Sequence, residues 1–214
     1  MIVADFHIHT KYSSDSNLEI RELLDIAEKL GYSALGIVDH NTTKGAIEAK
    51  KLSKKILVLV GQEIRTNKGD LIVFGTEKSL KGDIYEILDY VKENSLFSIL
   101  PHPFDKFRSA SICRNANITE IKEIAKRVDA IEIFNSRCLL NRFNTEAKKL
   151  SEELGIPKIA SSDAHIAEEL GNVKNFISCD LDEDEIFKAI RNNKLTFKVK
   201  KTEYINYIRK YIKK

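Results

Sequence analysis

Short β-rich runs alternate with longer segments of helical period along almost the whole chain, and this alternation limits the possible folds more than any other feature. IVADF (2–6) precedes LEIRELLDIAEKLGY, in which Leu18, Leu23, Leu24, Ile26, Ala27 and Leu30 recur at helical spacing up to a stop at Gly31. SALGIVDH, KILVLVGQEI, LFSILPH, DAIEIFN and PKIASSDAH read as further strands. Helices are expected over about 43–54, in DIYEILDYVKEN, ITEIKEIAKRV and LLNRFNTEAKKLSEELG, and near 183–192. LIVFGT reads as an antiparallel companion strand, and VKNFISC and LTFKVK supply two more. Repeated βα order predicts an α/β fold with a largely parallel sheet, either a barrel or an open doubly wound sheet. KILVLVGQEI is almost continuously apolar, as expected where both faces of a parallel sheet are covered. The glycine fingerprints of the open nucleotide-binding sheets are absent, since Gly61, Gly69 and Gly75 are spaced wrongly for them.

The length of 214 residues suits one domain spanning 1–214. No apolar run approaches the roughly 20 residues needed to cross a bilayer, and Asp5 interrupts the first one, so a cytoplasmic protein with no membrane partner is expected. Cys113, Cys138 and Cys179 are odd in number and form no CxxC pair, which argues against a disulfide framework or a zinc finger. The net charge of +3 is uneven: Lys194 to Lys214 hold eight lysines or arginines against Glu203 alone. A basic terminal helix is expected at about 202–214, with Tyr204, Ile205, Ile208, Tyr211 and Ile212 opposite Arg209, Lys210, Lys213 and Lys214. Such a helix suits docking on the body of the protein, or contact with a nucleic-acid backbone.

The polar residues collect where strands end. The runs finish DFHIH, IVDH, GQE, ILPH, AIEIFN and IASSDAH, and all five histidines of the chain, His7, His9, His40, His102 and His165, fall there. In a parallel barrel those ends share one face, where active sites are assembled. Imidazoles together with carboxylates are ligands for Zn, Mn or Fe. His7 and His9, two apart on a strand, project to one side and can share an ion. Glu63 and Asp163 add anionic donors able to bridge two ions, and Asp15 in KYSSDSN reaches the same face beside His40 and His165. A single histidine means little alone; the specificity lies in five of them at successive strand ends. Asp39, next to His40, either orients an imidazole or caps the following helix.

These stretches resemble the PHP (polymerase and histidinol phosphatase) family of metal-dependent phosphoesterases: DFHIHTKYSSDS, VDHNT, GQEI, LPHPF and SSDAH follow in that family's order over nearly the whole chain. The resemblance implies a distorted (β/α)7 barrel with two or three divalent ions, Mn, Zn or Fe, at the C-terminal face of the strands. It implies that His7, His9, Glu63 and Asp163 hold one ion. Glu63 and His102 would hold a second, and Asp15, His40 and His165 a third. Some relatives complete the second set with a further histidine after the fifth strand, where this chain offers Glu132 or Asn135.

The chemistry expected of such a centre is hydrolysis of a small phosphorylated metabolite or nucleotide by metal-activated water, with no protein nucleophile. Arg137 and then Arg108 are the candidates for binding substrate phosphate through a bidentate fork, and Lys106 lies in the same long loop as Arg108. Phe104 and Phe107 of that loop suit core packing better than base stacking. Two alternatives remain: a nuclease or nucleic-acid-associated protein, favoured by the basic C-terminus, and a C–N hydrolase of amidohydrolase type. Enzymes of the second type usually add a metal-bridging lysine, and no strand ends on one here.

Overall fold

A computed structural model describes residues 1–207. Seven strands form the wall of a barrel: β1 (Ile2–Ile8), β2 (Ala34–Ile37), β3 (Leu57–Arg65), β4 (Asp70–Phe74), β5 (Phe97–Leu100), β6 (Ala130–Asn135) and β7 (Lys158–Ser161). They are hydrogen-bonded in chain order, parallel except where β4 runs antiparallel to both β3 and β5. β7 meets β1 through a bridge between Ile8 and Ala164, with His9 N donating to Ala164 O at 2.9 Å, so the wall nearly closes. Below that seam the antiparallel pair β8 (Val173–Ile177) and β9 (Leu195–Val199) extends the sheet from β1. The fold is thus a distorted seven-stranded barrel, and LIVFGT supplies its antiparallel member.

The helices are α1 (Ile20–Lys29), α2 (Lys44–Leu52), α3 (Ile84–Glu93), α4 (Ile118–Ala125), α5 (Asn141–Leu154) and α6 (Glu183–Arg191). Local chemistry sets their ends. Asp83 and Glu86 form a reciprocal capping box on α3, Asp182 accepts from two backbone amides at the start of α6, and Gly155 closes α5 in the left-handed region at φ 66°. Ile20, Leu23, Leu24 and Ala27 put a buried stripe on α1, which packs with α2 over the outer faces of β1–β3. α3, α4 and α5 cover β3–β6.

Within the wall, Ala4, Phe6, Ala34, Val38, Leu59, Ile72, Phe74, Phe97, Ile99, Ala130 and Ile159 form one core. α6 plugs its lower end with Ile186, Phe187 and Ile190, the Phe187 ring stacked on Phe97 at 4.3 Å. The upper end is left to polar residues. Of the expected terminal helix, 204–207 are helical; Arg209, Lys210, Tyr211, Lys213 and the other residues from 208 on lie outside the described residues.

Candidate metal centre at the barrel mouth

Strict alternation would send His7 to the face opposite Phe6. An extra residue in β1, where Asp5 pairs with Leu35 but Ile8 with Ile37, breaks the alternation. Phe6 therefore stays in the core below while His7 and His9 both turn into the mouth, and Ile8 packs outward under α1. A second bulge in β6, between Glu132 and Phe134, keeps both Glu132 and Asn135 facing inward although they are three apart. His102 and Asp163 adopt positive φ, 29° and 55°, a backbone region costly for these residues and concentrated at functional sites.

The mouth holds eight of the expected residues together. His7 Nε2 and His9 Nε2 are 3.0 Å apart. Glu63 Oε2 lies 3.5 Å from the first and 3.3 Å from the second, and Asp163 Oδ1 lies 3.5 and 3.4 Å from them. Donors about 2.0–2.1 Å from one ion are separated by about 3.4 Å in a tetrahedron and about 2.9 Å along an octahedral edge, so this set has the spacing of a filled coordination shell. Two imidazole nitrogens converging at 3.0 Å can share a proton, and the same spacing suits a cation held between them. Asp163 Oδ1 and His102 Nδ1 are buried and take no hydrogen bond among the described residues.

Glu63 lies at the centre of the group. Its Oε1 is 3.0 Å from His102 Nε2, while Oε2 is 3.1 Å from His40 Nδ1, which suits a carboxylate shared between ions. Asp15 reaches His165 Nε2 at 3.1 Å and His40 Nε2 at 3.5 Å. The ligand atoms of His9, His40 and His165 also gather within 4.8 Å of one another, so His9 faces two of the three sets. The donors present fit two or three divalent ions.

Charge is distributed to suit. Burial disfavours an ionised Glu63, but His7 and His40 outweigh it and hold the carboxyl well below its usual range. Burial likewise opposes Asp163, and the charges of Arg108 and His7 keep it well below. For Asp15 the hydrogen bonds of His165 and His40 overcome burial in the same direction. Burial and the charge on His9 push His165 down to about 3, leaving it a neutral donor.

Around this centre lie residues that aim the imidazoles. Asp39 accepts from Thr10 N and Thr10 Oγ1, both at 2.7 Å, and from Ser13 Oγ at 2.8 Å. Ser13 Oγ in turn is 2.9 Å from His9 Nδ1, so Asp39 acts on an imidazole through Ser13. No side chain caps α2, whose first turn comes so close to Asp39 that a Cβ on Gly45 would stand 2.0 Å from Oδ2. Glu132 lies 3.0 Å from His7 Nδ1 and accepts from His102 N at 2.7 Å. Asn135 donates to Glu132 and Asp163. Glu132 and Asn135 thus hold ligands from behind.

The mouth opens into a cavity of about 440 Å³ whose lining includes Asp15, His40, His165, Arg65, Arg108 and Arg137. Arg108 reaches Asp163 Oδ2 at 2.5 Å and Asp105 at 3.2 Å. Arg137 is buried against Glu169 at 2.5 Å and lies over the Tyr207 ring. Phe107 stands 63% exposed at the rim, whereas Phe104 packs against the α3–α5 core. Sequence reasoning missed Ser13, Arg65, Asp70 and Glu169. Ser13 lies in the KYSSDS motif, while Glu169 lies in a helical turn at 167–169 with no strand end to mark it.

A barrel that gathers five imidazoles and several ionised carboxylates at the C-terminal ends of its strands is the scaffold of a metal-dependent enzyme centre. The family model described as PHP-associated matches residues 141–195. The chain is 36% identical over 170 residues to an uncharacterised protein of Methanocaldococcus jannaschii, covering 78% of this chain and 67% of that one. Among solved structures, a two-domain protein of Bacteroides vulgatus containing a predicted PHP-like metal-dependent phosphoesterase superposes with a TM-score of 0.74 at 15% identity, covering 100% of this chain and 69% of that one. Endonuclease Q, solved with a 27-mer duplex bearing an abasic lesion, superposes with a TM-score of 0.63 at 17% identity, over 89% of this chain and 56% of its own. The chain belongs to the PHP family of metal-dependent phosphoesterases.

Proposed function

We propose that the protein hydrolyses a phosphate ester of a small metabolite or nucleotide, using divalent ions held by His7, His9, Asp15, His40, Glu63, His102, Asp163 and His165. The observation that carries this reading is the four-donor set of His7, His9, Glu63 and Asp163, in which the two imidazole nitrogens stand 3.0 Å apart and each lies 3.3–3.5 Å from both carboxylates. Divalent ions held in that centre would lower the pKa of water towards neutrality and offset charge on the phosphoryl oxygens. The chain's own part is to orient and to bind. Asp39 through Ser13 and Glu132 directly fix two imidazoles. Arg108 and Arg137 line the cavity as cations for the phosphate; Arg108 stands in contact with Asp163, while Arg137 is held by Glu169. Small phosphorylated substrates suit a cavity of about 440 Å³. No lysine lines it among the described residues, which disfavours the C–N hydrolase alternative. Unpaired Cys113, Cys138 and Cys179 accord with a cytoplasmic protein. No helix among the described residues is long and apolar enough to cross a membrane.

The test is a Mn²⁺-supplemented screen against an aryl phosphate, a bis-aryl diester, sugar phosphates, nucleotides, histidinol phosphate and short oligonucleotides. Turnover of a small ester that His7→Ala, His40→Ala and Asp163→Asn each abolish is the expected result. Wild-type rates in all three variants, or no phosphate ester cleaved by metal-loaded protein, refute the reading. Cleavage confined to oligonucleotides shifts it to the nuclease alternative.

A further inference from the structure

Asp70 is 4% exposed, and neither the resemblance nor the strand-end pattern gives it a role. It opens β4, the antiparallel member of the wall, opposite Arg65 in the β3–β4 register and diagonal to Glu63, which pairs with Ile72. Asp70, Ile72 and Phe74 share the inward face of β4, so the Asp70 carboxylate enters the mouth from the side of Glu63. Ligand atoms of Glu63, Asp70 and His102 lie within 4.8 Å of one another. Arg65 Nε donates to Asp70 Oδ1 at 2.6 Å, and the Asp70 amide donates to Ala110 O at 2.8 Å, so the residue is tied on two sides.

The two residues expected to complete the second ion's shell are engaged elsewhere. Glu132 Oε1 faces His7 Nδ1 and accepts from Ser161 Oγ, and its Oε2 takes His102 N and Asn135 Nδ2. Asn135 spends its amide on Glu132 and Asp163, and its carbonyl on Arg137 N. Asp70 and Glu63 are two buried carboxylates brought to one imidazole, an arrangement that a divalent cation resolves.

We infer that Asp70 is the third protein ligand of the second ion, with Glu63 and His102, and that its oxygen-rich donor set makes this position the most favourable of the three to Mn²⁺ relative to Zn²⁺. The other positions carry two imidazoles each and lean towards softer ions. The inference rests on the metal-centre reading above but not on the reaction.

Metal counting tests it without substrate. Metal-free wild type, Asp70→Asn and Asp70→His are dialysed against Mn²⁺ or Zn²⁺ and the bound metal is measured by mass spectrometry, with thermal melts to confirm folding. Asp70→Asn is expected to hold one Mn²⁺ equivalent fewer, through a loss of at least about 100-fold in affinity at one site. Asp70→His is expected to regain that equivalent with Zn²⁺ preferred, and it serves as the readout should Asp70→Asn fail to fold. An unchanged count in Asp70→Asn, or an Asp70→His variant with the wild-type ratio of Mn²⁺ to Zn²⁺ binding, overturns the inference. A protein that shows the expected counts but cleaves no phosphate ester refutes the proposed reaction and leaves the Asp70 assignment standing.

Discussion

Loading metal onto the centre expels protons, and the structure says which ones. His40 Nδ1 is 3.1 Å from Glu63 Oε2, and its Nε2 is 3.5 Å from Asp15 Oδ1. Burial alone would strip the ring of its proton, but Glu63 and Asp15 outweigh it and carry the pKa from 6.5 up to about 10. His7 behaves alike: burial pulls it down, while Asp163, Glu63 and Glu132 hold it well above the usual range. His165, at about 3, has no proton to give. Metal-free protein near neutrality therefore carries imidazolium rings at His7 and His40 that ligation must neutralise, and saturation releases at least these two protons. Each ion that takes one of these rings gains about tenfold in affinity per pH unit until the ring's pKa is reached. Because the folded pKa of His40 is raised, its pairing stabilises the metal-free fold fully below about 6.5 and is lost as pH climbs through about 10. Metal-free protein is thus expected to melt lower as pH rises over that window, while protein at fixed Mn²⁺ gains protection as its affinity grows. Calorimetric titration in buffers of different ionisation enthalpy reads the proton count, and melting curves read the two trends. A proton count near zero, or a metal-free melting point that rises across the window, would refute the reasoning.

Three further outcomes follow from the packing. Ser13→Ala removes the group that links Asp39 to His9 Nδ1, so Mn²⁺ affinity should fall about 10–100-fold; unchanged affinity in a calorimetric titration would contradict it. Gly45→Ala puts a Cβ 2.0 Å from Asp39 Oδ2 and 2.4 Å from Thr10 Oγ1, which should displace both and lower metal affinity, whereas Lys44→Ala should not; equal affinity in the two variants counts against the Asp39 relay. Phe187→Ala empties the plug against Phe97 and Phe74 and should cost about 3–5 kcal/mol in denaturant unfolding. A loss under about 1.5 kcal/mol would mean that α6 does not close the core.

Much of the centre was legible because a parallel barrel delivers the C-terminal ends of its strands to one place. His7, His9, His40, Glu63, His102, Asp163 and His165 lie in or just after β1, β2, β3, β5 and β7, and a reader who marks polar residues at the ends of apolar runs finds them. Element bounds were legible to within a few residues: the helix expected over 43–54 is Lys44–Leu52, and that near 183–192 is Glu183–Arg191. The partners of the imidazoles were not legible, because a hydrogen bond such as His9 to Ser13 depends on the course of the loop between them.

Two physical effects hid the rest. A bulge suspends the period of two, so counting along ADFHIH cannot show that Phe6 and His7 both face inward, nor counting along AIEIFN that Glu132 and Asn135 share a side. An antiparallel strand reverses the rule that finds the site: β4 enters the barrel mouth at its beginning, so its chemistry sits before the apolar run LIVF and not after it. Asp70 occupies that first position, directly across from Arg65 and two residues from the partner of Glu63. Once a strand in such a barrel is known to run backwards, the residue that opens it deserves the scrutiny given to the residue that closes every other.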